Sequence, residues 1–104
     1  MGEFENLKMK KKVQIIGKVT GLNRIDVVLK FKEAQNHLEA QGYEVINPVV
    51  LVPADATHAK AMRMCLDSIL TVDAVAMLPD WVHSTGSQVE YQNAFILGLN
   101  MIWL

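Results

Sequence analysis

Cysteine is nearly absent from the sequence: Cys65 is the only one among 104 residues, so no disulfide can form within the chain. A lone cysteine is compatible with a reducing compartment, and we expect a cytoplasmic protein. Long apolar runs are missing as well. The run at Val13–Gly17 is too short for a membrane span or for the core of a signal peptide. We therefore expect no interaction with a membrane.

A surplus of charge of either sign is also missing. The formal net charge is −1 at pH 7, and 20% of the residues are charged. Proteins that bind nucleic acid usually present a strongly basic face, so this balance argues against a nucleic-acid partner. The one basic run, Lys8–Lys12, is interpreted as a solvated lead-in to the first strand, with a patch that binds an anion or nucleic acid as the alternative.

Metal-ligating residues are few and scattered. The three histidines, His37, His58 and His83, lie far apart in sequence and show none of the spacings that are typical of metal sites. We predict neither a metal site nor a cofactor.

Apolar residues, by contrast, make up 51% of the chain, which suffices for one compact core. We predict a single domain over residues 12–104. Residues 1–11 are set apart as a disordered or cloning-derived lead, because "MGEFENLK" shows no apolar periodicity.

Short apolar runs alternate with amphipathic stretches along this domain. The runs predict four strands, at Lys12–Gly17, Tyr43–Pro48, Asp73–Leu78 and Leu99–Leu104. The amphipathic stretches predict three helices, at about Asp26–Gln41, Thr57–Leu70 and Gln88–Leu99. The first helix has the clearest buried face, which consists of Val27, Phe31, Ala34 and Leu38. Val49–Thr57 contains Pro53 and is predicted to be a loop or an irregular edge.

This β-α-β-α-β-α-β order predicts a parallel sheet with right-handed crossovers. Asp73–Leu78 is apolar at nearly every position, which is typical of a strand buried on both faces. The predicted fold is therefore an α/β, flavodoxin-like or Rossmann-like three-layer sandwich with a parallel sheet of about four strands.

Ligands of such sheets bind beyond the carboxyl ends of the strands, where three predicted loops lie. In the first loop, Gly17, Thr20 and Gly21 are candidates for ligand contact, with a tight turn as the alternative. The loop matches neither the P-loop nor the dinucleotide-binding spacing. In the third loop, Trp81 is a candidate to stack on a base, and a lid over the core is the alternative.

Small polar residues precede the last predicted helix, in "HSTGS" (His83–Ser87). Backbone N–H groups at a helix start form a natural anion site, so Ser84, Thr85 and Ser87 are candidates to hold a phosphate or a sugar hydroxyl. The alternative is an ordinary solvated loop with a helix cap.

Glu90 has two competing interpretations. Ser87 and Glu90 form the S-x-x-E pattern of a capping box, in which the glutamate only closes the helix start. Glu90 also lies at the predicted ligand edge, where the helix dipole is expected to keep it ionised. An ionised carboxylate there could act as a nucleophile toward a sugar carbon.

Four segments carry a family resemblance: "VQIIGKVTGL", "GYEVINP", "AMRMCLDSILTVDAVAMLPDW" and "STGSQVEYQNAFILGL". From about Val13 to the C-terminus, the chain resembles the nucleoside 2-deoxyribosyltransferase-like superfamily, and within it a small branch of unknown function found in bacteria and phages. The resemblance implies a small-molecule nucleoside or nucleotide ligand and cleavage of a deoxyribose N-glycosidic bond. Water as acceptor gives a hydrolase, and a second base gives a transferase.

In this resemblance the nucleophilic glutamate falls on Glu90, and the residues that contact phosphate or sugar fall on Ser84, Gly86 and Ser87. Enzymes of the group often assemble so that a neighbouring subunit completes the pocket, so a homo-oligomer is expected.

The chain departs from the family pattern where an acid is expected. Cys65 occupies the position of the aspartate in the second helix, and Gln14 stands where tyrosine is common. Asp67 is turned about 200° from Cys65 on a helix and is expected to pair with Arg63 instead. Cys65 itself is interpreted as a packing residue. The alternative to an enzyme is thus a non-catalytic nucleotide-sensing or interaction module with the same pocket.

Overall fold

The computed structural model describes residues 10–104, in which strands alternate with helices. The strands are β1 (Lys12–Ile16), β2 (Glu44–Ile46), β3 (Ala74–Met77) and β4 (Asn100–Trp103). The α-helices are α1 (Arg24–Ala40), α2 (Pro48–Leu51), α3 (His58–Ile69) and α4 (Thr85–Ile96), and a 3₁₀ helix spans Pro79–His83. Residues 1–9, most of the predicted lead, lie outside the described residues.

The four strands form one all-parallel sheet in the order β2-β1-β3-β4. The central strands β1 and β3 are the most deeply buried, because helices cover both faces of the sheet. The predicted α/β fold with a parallel sheet of four strands is confirmed.

Side chains of the strands alternate between the two faces of the sheet and form a hydrophobic core on each face. On one face, Val13 and Ile15 of β1 pack with the buried stripe of α1, which is the predicted set Val27, Phe31, Ala34 and Leu38. On the other face, Ile16 and Val75 pack with Ile69 and Ala94, which come from α3 and α4. The ligand edge of the sheet therefore lies between one layer formed by α1 and the short α2 and another formed by α3 and α4.

Helix starts are set by capping side chains that apolar periodicity does not reveal. Asn23 accepts hydrogen bonds from the backbone N–H groups of Ile25 and Asp26, so α1 begins two residues before its predicted start.

The predicted loop after β2 is wrong in part, because it contains α2. Asn47 caps this short helix by accepting from Val49 N at 3.0 Å, and Pro48 occupies its first position.

Two features at the periphery bear on the predictions. Asp73 lies at the amino edge of the sheet, away from the ligand edge, and accepts a hydrogen bond from Lys12 N at 2.9 Å. The predicted Arg63–Asp67 pair is wrong: within residues 10–104 the ion pair that forms is Lys30–Asp80. Arg63 and Asp67 are both exposed, and water competes effectively for such charges.

No helix within residues 10–104 combines the length and the apolar character needed to cross a membrane.

Candidate functional site

A cavity of about 240 Å³ lies at the carboxyl edge of the sheet. Its walls come from the loop after β1, the segment from α2 to the start of α3, the inner face of α3 and the first turns of α4. A second, outer pocket of about 360 Å³ adjoins it, and the two share Thr20, His58, Ser84 and Gly86. The site thus has a deep inner part and a mouth at the start of α4.

Most of the predicted ligand contacts meet in the inner cavity. Its walls include Gly17, Thr20, Ser84, Gly86, Ser87 and Glu90. Gly21 and Trp81 are not among the lining residues.

Trp81 instead belongs to an aromatic cluster on the far side of α4. Its ring centroid lies 4.7 Å from that of Tyr91 and 6.1 Å from that of Trp103. It also packs against the core formed by α3 and α4. This position fits the alternative interpretation of Trp81 as a residue that covers the core.

Helix α4 begins earlier than predicted, and its N-cap is therefore a different residue from the predicted one. The helix begins at Thr85 rather than at Gln88, and Ser84 is its cap, accepting from Ser87 N at 3.2 Å. Ser87 is therefore the third residue of the helix, and Glu90 lies one turn further on. The capping-box interpretation of Ser87 and Glu90 is wrong. Glu90 has no capping role and instead lines the cavity.

Ser87 is a buried hydroxyl with no protein partner. Only 1% of the residue is exposed, and its Oγ has no hydrogen-bond partner within the described structure. Because a buried unsatisfied hydroxyl is unfavourable, a polar ligand group in the cavity is a suitable partner for it.

Two glycines, Gly86 and Gly17, allow neighbouring helices and strands to pack closely at the ligand edge of the sheet. A Cβ on Gly86 would lie 2.9 Å from Sδ of Met62, so glycine lets α4 pack closely on α3 beside the cavity. A Cβ on Gly17 would lie 2.5 Å from Cδ1 of Leu78, where the ends of β1 and β3 meet. Gly17 is thus required for packing as well as being a cavity residue.

Glu90 is 8% exposed and its carboxyl borders the cavity. Burial raises the pKa of Glu90 to about 7, and the Gln14 side chain opposes this rise only in part. Burial thus opposes the ionised form of Glu90 that the helix dipole was expected to favour. Glu90 lies in the second turn, where the dipole has weakened, and desolvation dominates.

Gln14 and Cys65 pack against the inner end of the site. Gln14 is fully buried in β1; its Nε2 donates to the Cys65 carbonyl oxygen at 3.1 Å, and its Oε1 has no partner within residues 10–104. Burial, together with the charge of Glu90, raises the pKa of the Cys65 thiol to about 12. Cys65 is buried as expected, and its thiol therefore stays protonated near neutral pH.

An ion pair ties the first loop to the 3₁₀ helix. Lys30 Nζ contacts Asp80 Oδ2 at 2.5 Å and donates to the Lys18 carbonyl oxygen at 2.7 Å, while Lys18 N donates to Asp80 Oδ1 at 3.0 Å. Burial alone would raise the pKa of Asp80, but the hydrogen bonds from Lys30 and Lys18 and the charge of Lys30 lower it below its usual value. This clamp fixes the loop that carries Gly17 and Thr20 relative to the segment that leads into α4.

Several site residues were missed from the sequence. Arg24 and His58 line the inner cavity, and Lys18 and His83 line the outer pocket. His58 and Lys18 do lie at a helix start and in a predicted ligand loop, which is the signal that could have identified them. Within residues 10–104, no group of three or more His, Cys, Asp and Glu side chains is placed to hold a metal ion.

Comparison with known proteins identifies a family but no characterised relative. No curated protein and no solved structure matches the chain. The family described as Domain of unknown function (DUF4406) matches residues 11–103, nearly the whole chain, and the protein therefore belongs to this family.

Proposed function

We propose that the cavity binds a nucleoside or nucleotide and cleaves its N-glycosidic bond through Glu90. The observation that carries the proposal is a nearly buried carboxyl that borders a cavity at the ligand edge of a parallel sheet. The identity of the ligand and the type of reaction rest on the resemblance of the sequence to nucleoside 2-deoxyribosyltransferases.

The inner cavity suits a base and its sugar. One wall is apolar and is formed by the segment around α2, with Val49, Val52 and Pro53. A flat aromatic base can pack against such a wall, while Glu90 and the unpartnered Ser87 hydroxyl face the sugar from α4. An apolar wall with a few convergent polar groups is the usual composition of a small-molecule site.

The outer pocket suits a phosphate. It is lined by Lys18 and His83 together with Ser84, Thr85 and Gly86 at the start of α4. The amino end of a helix offers backbone N–H groups and a positive dipole to an anion. A nucleoside monophosphate would therefore place its phosphate against Lys18 and His83 in the outer pocket and its base in the inner cavity, with His58 between the two pockets.

The chemistry assigned to Glu90 requires its ionised form. A carboxylate oxygen attacks C1′ of the sugar, the bond from C1′ to the base breaks, and the bonding electrons leave with the base. Water or a second base then attacks C1′ and releases Glu90. Because the pKa of Glu90 is about 7, the reactive form is present at neutral pH and increases above it.

A second candidate function is nucleotide sensing without turnover. It is favoured by Cys65, whose thiol, with a pKa of about 12, stands where the enzymes of the superfamily have an acid. Loss of a general acid typically lowers a rate by ~10²–10⁴-fold. In this version the same cavity binds the ligand and leaves the glycosidic bond intact.

One experiment separates the two. The protein is incubated with a panel of 2′-deoxynucleosides and their 5′-monophosphates, and free base is followed by chromatography while binding is measured by calorimetry. Base release that Glu90→Gln abolishes, and that the exposed control Glu33→Gln retains, supports the enzyme. Binding without release supports the sensor, and neither binding nor release would overturn both.

We also propose a cytoplasmic homo-oligomer. The part of the chain from Ser84 to Leu104 carries a single charged residue, the buried Glu90. Its surface exposes Phe95, Ile96 and Trp103, each by more than half. Exposed apolar side chains on α4 and β4, in a segment without an exposed charged side chain, are typical of a protein interface. Analytical ultracentrifugation of the wild type and of Ile96→Glu tests it, since one exposed charge should dissociate the assembly.

A further inference from the structure

We propose that His58 is the proton donor to the leaving base, and so supplies the acid that the chain lacks at Cys65. This inference rests on the proposed cleavage of an N-glycosidic bond. It concerns a residue that the family resemblance does not assign.

His58 occupies the mouth of the inner cavity. It is the first residue of α3. Thr57 caps this helix, and its hydroxyl oxygen accepts a hydrogen bond from Lys60 N at 3.1 Å. His58 lines both the inner cavity and the outer pocket. Met62 and Cys65 follow four and seven residues later, so all three lie on one face of the helix. Along that face, His58 is about 10 Å nearer the helix start than Cys65. The inner face of α3 therefore carries an imidazole near its start, whereas the family resemblance expects a carboxyl at position 65, further along the helix.

The imidazole and the proposed nucleophile face the same space from two packed helices. Cε1 of His58 lies 3.8 Å from the position that a Cβ on Gly86 would take, so the ring lies against the first turn of α4. Glu90 follows Gly86 by four residues, which places it on the same helix face about 6 Å deeper. A nucleoside bound between them has its sugar near Glu90 and its base within reach of His58.

The remaining ionisable groups in the cavity wall do not fit the role. They are Arg24, Cys65 and Glu90. An arginine side chain does not release its proton in proteins. Burial holds the proton on the Cys65 thiol, and Glu90 is needed as the nucleophile. Histidine is the commonest general acid and base in proteins, because it exchanges protons readily near neutral pH.

The proton balance of both steps follows from this placement. As Glu90 attacks C1′ and the bond to the base breaks, the His58 imidazolium gives its proton to a nitrogen or oxygen of the base, which leaves neutral. The neutral imidazole then takes a proton from the water that attacks C1′. Glu90 and His58 return to their starting states, and the products are a free base and a free sugar or sugar phosphate.

The test compares two leaving groups in the full-length protein. Wild type, His58→Gln and the control His37→Gln, which changes an exposed residue in the last turn of α1, are given 2′-deoxyguanosine 5′-monophosphate and its N7-methylated form. The methylated base already carries a positive charge and leaves without taking up a proton. Base release is followed by chromatography, nucleotide binding by calorimetry, and folding by circular dichroism.

We expect His58→Gln to slow release of guanine by roughly 10²–10⁴-fold. In the first turnover, release of the methylated base should slow by less than about tenfold, because departure of that base needs no acid. Equal loss on both substrates, or no loss on either, would overturn the role of His58 while leaving the proposed function in place. A wild type that releases neither base would overturn the proposed function and this inference together.

Discussion

Replacement of Glu90 by glutamine should stabilise the protein at alkaline pH and leave its stability nearly unchanged in mild acid. In the folded chain, burial raises the pKa of Glu90 from 4.5 to about 7. A group whose pKa is raised on folding favours the folded state fully below its unfolded pKa, and this contribution is lost as the pH rises through the folded pKa. The wild type should therefore lose stability between about pH 4.5 and pH 7, and Glu90→Gln should not, because a neutral amide has no proton to lose.

The magnitude follows from the two pKa values. They differ by about 2.5, and each pKa unit corresponds to about 1.4 kcal/mol, so ionised Glu90 destabilises the folded state by about 3 kcal/mol. This is an upper value, since water that enters the cavity beside Glu90 would solvate the carboxylate. For a domain of this size it is a large part of a typical free energy of unfolding of about 5–15 kcal/mol.

The assay is urea denaturation of wild type and Glu90→Gln at about pH 4.5 and about pH 8.5. The variant should exceed the wild type by about 3 kcal/mol at the higher pH and match it closely at the lower. Glu33→Gln, which neutralises an exposed carboxyl on α1, serves as the control for the change in net charge. A difference between Glu90→Gln and wild type that is the same at both pH values would refute the reasoning, because it would mean that Glu90 is not desolvated.

Three further predictions concern the frame of the site, and urea denaturation checks each of them. Phe31→Ala should lower the free energy of unfolding by about 3–5 kcal/mol, since the ring is fully buried under the sheet; a loss below about 1 kcal/mol would contradict that packing. Gly17→Ala should cost about 1–3 kcal/mol because the new methyl group would clash with Leu78, and a neutral effect would show that β1 and β3 are not so close. Asp80→Asn should lower stability at pH 7 but not in strong acid, because the contribution of a lowered pKa is lost as the pH falls through it; an equal loss in both conditions would exclude the ion pair as the cause.

The fold was predictable because it rests on patterns with many repeats. The spacing of Val27, Phe31, Ala34 and Leu38 specifies one buried helix face, and the apolar run that became β3 specifies a strand covered on both sides. Each pattern depends on several residues, so no single substitution in it would mislead the prediction.

The site was less predictable because it rests on single side chains and on long-range contacts. Whether Ser84 or Ser87 caps α4 depends on one hydrogen bond, and both residues have the right chemistry. Trp81 has a loop position that suits ligand stacking, but Tyr91 and Trp103 come from elements distant in sequence and hold it elsewhere. Nothing in the local sequence shows that Gln14 reaches the Cys65 carbonyl across 51 positions. Such contacts exist only once the sheet has formed.

The order of strands in the sheet has a consequence for how the chain acquires its site. The central pair joins β1 to β3, whose paired residues are about 60 positions apart, and the intervening chain must be closed into a loop before they meet. Pairings of such long sequence separation form slowly, because the entropy of closing the loop is lost before the contacts are gained. The cavity draws on residues from Ile15 to Glu90, so no early fragment of the nascent chain contains it. Emergence of α4 from the ribosome is therefore the earliest moment at which the complete cavity can form.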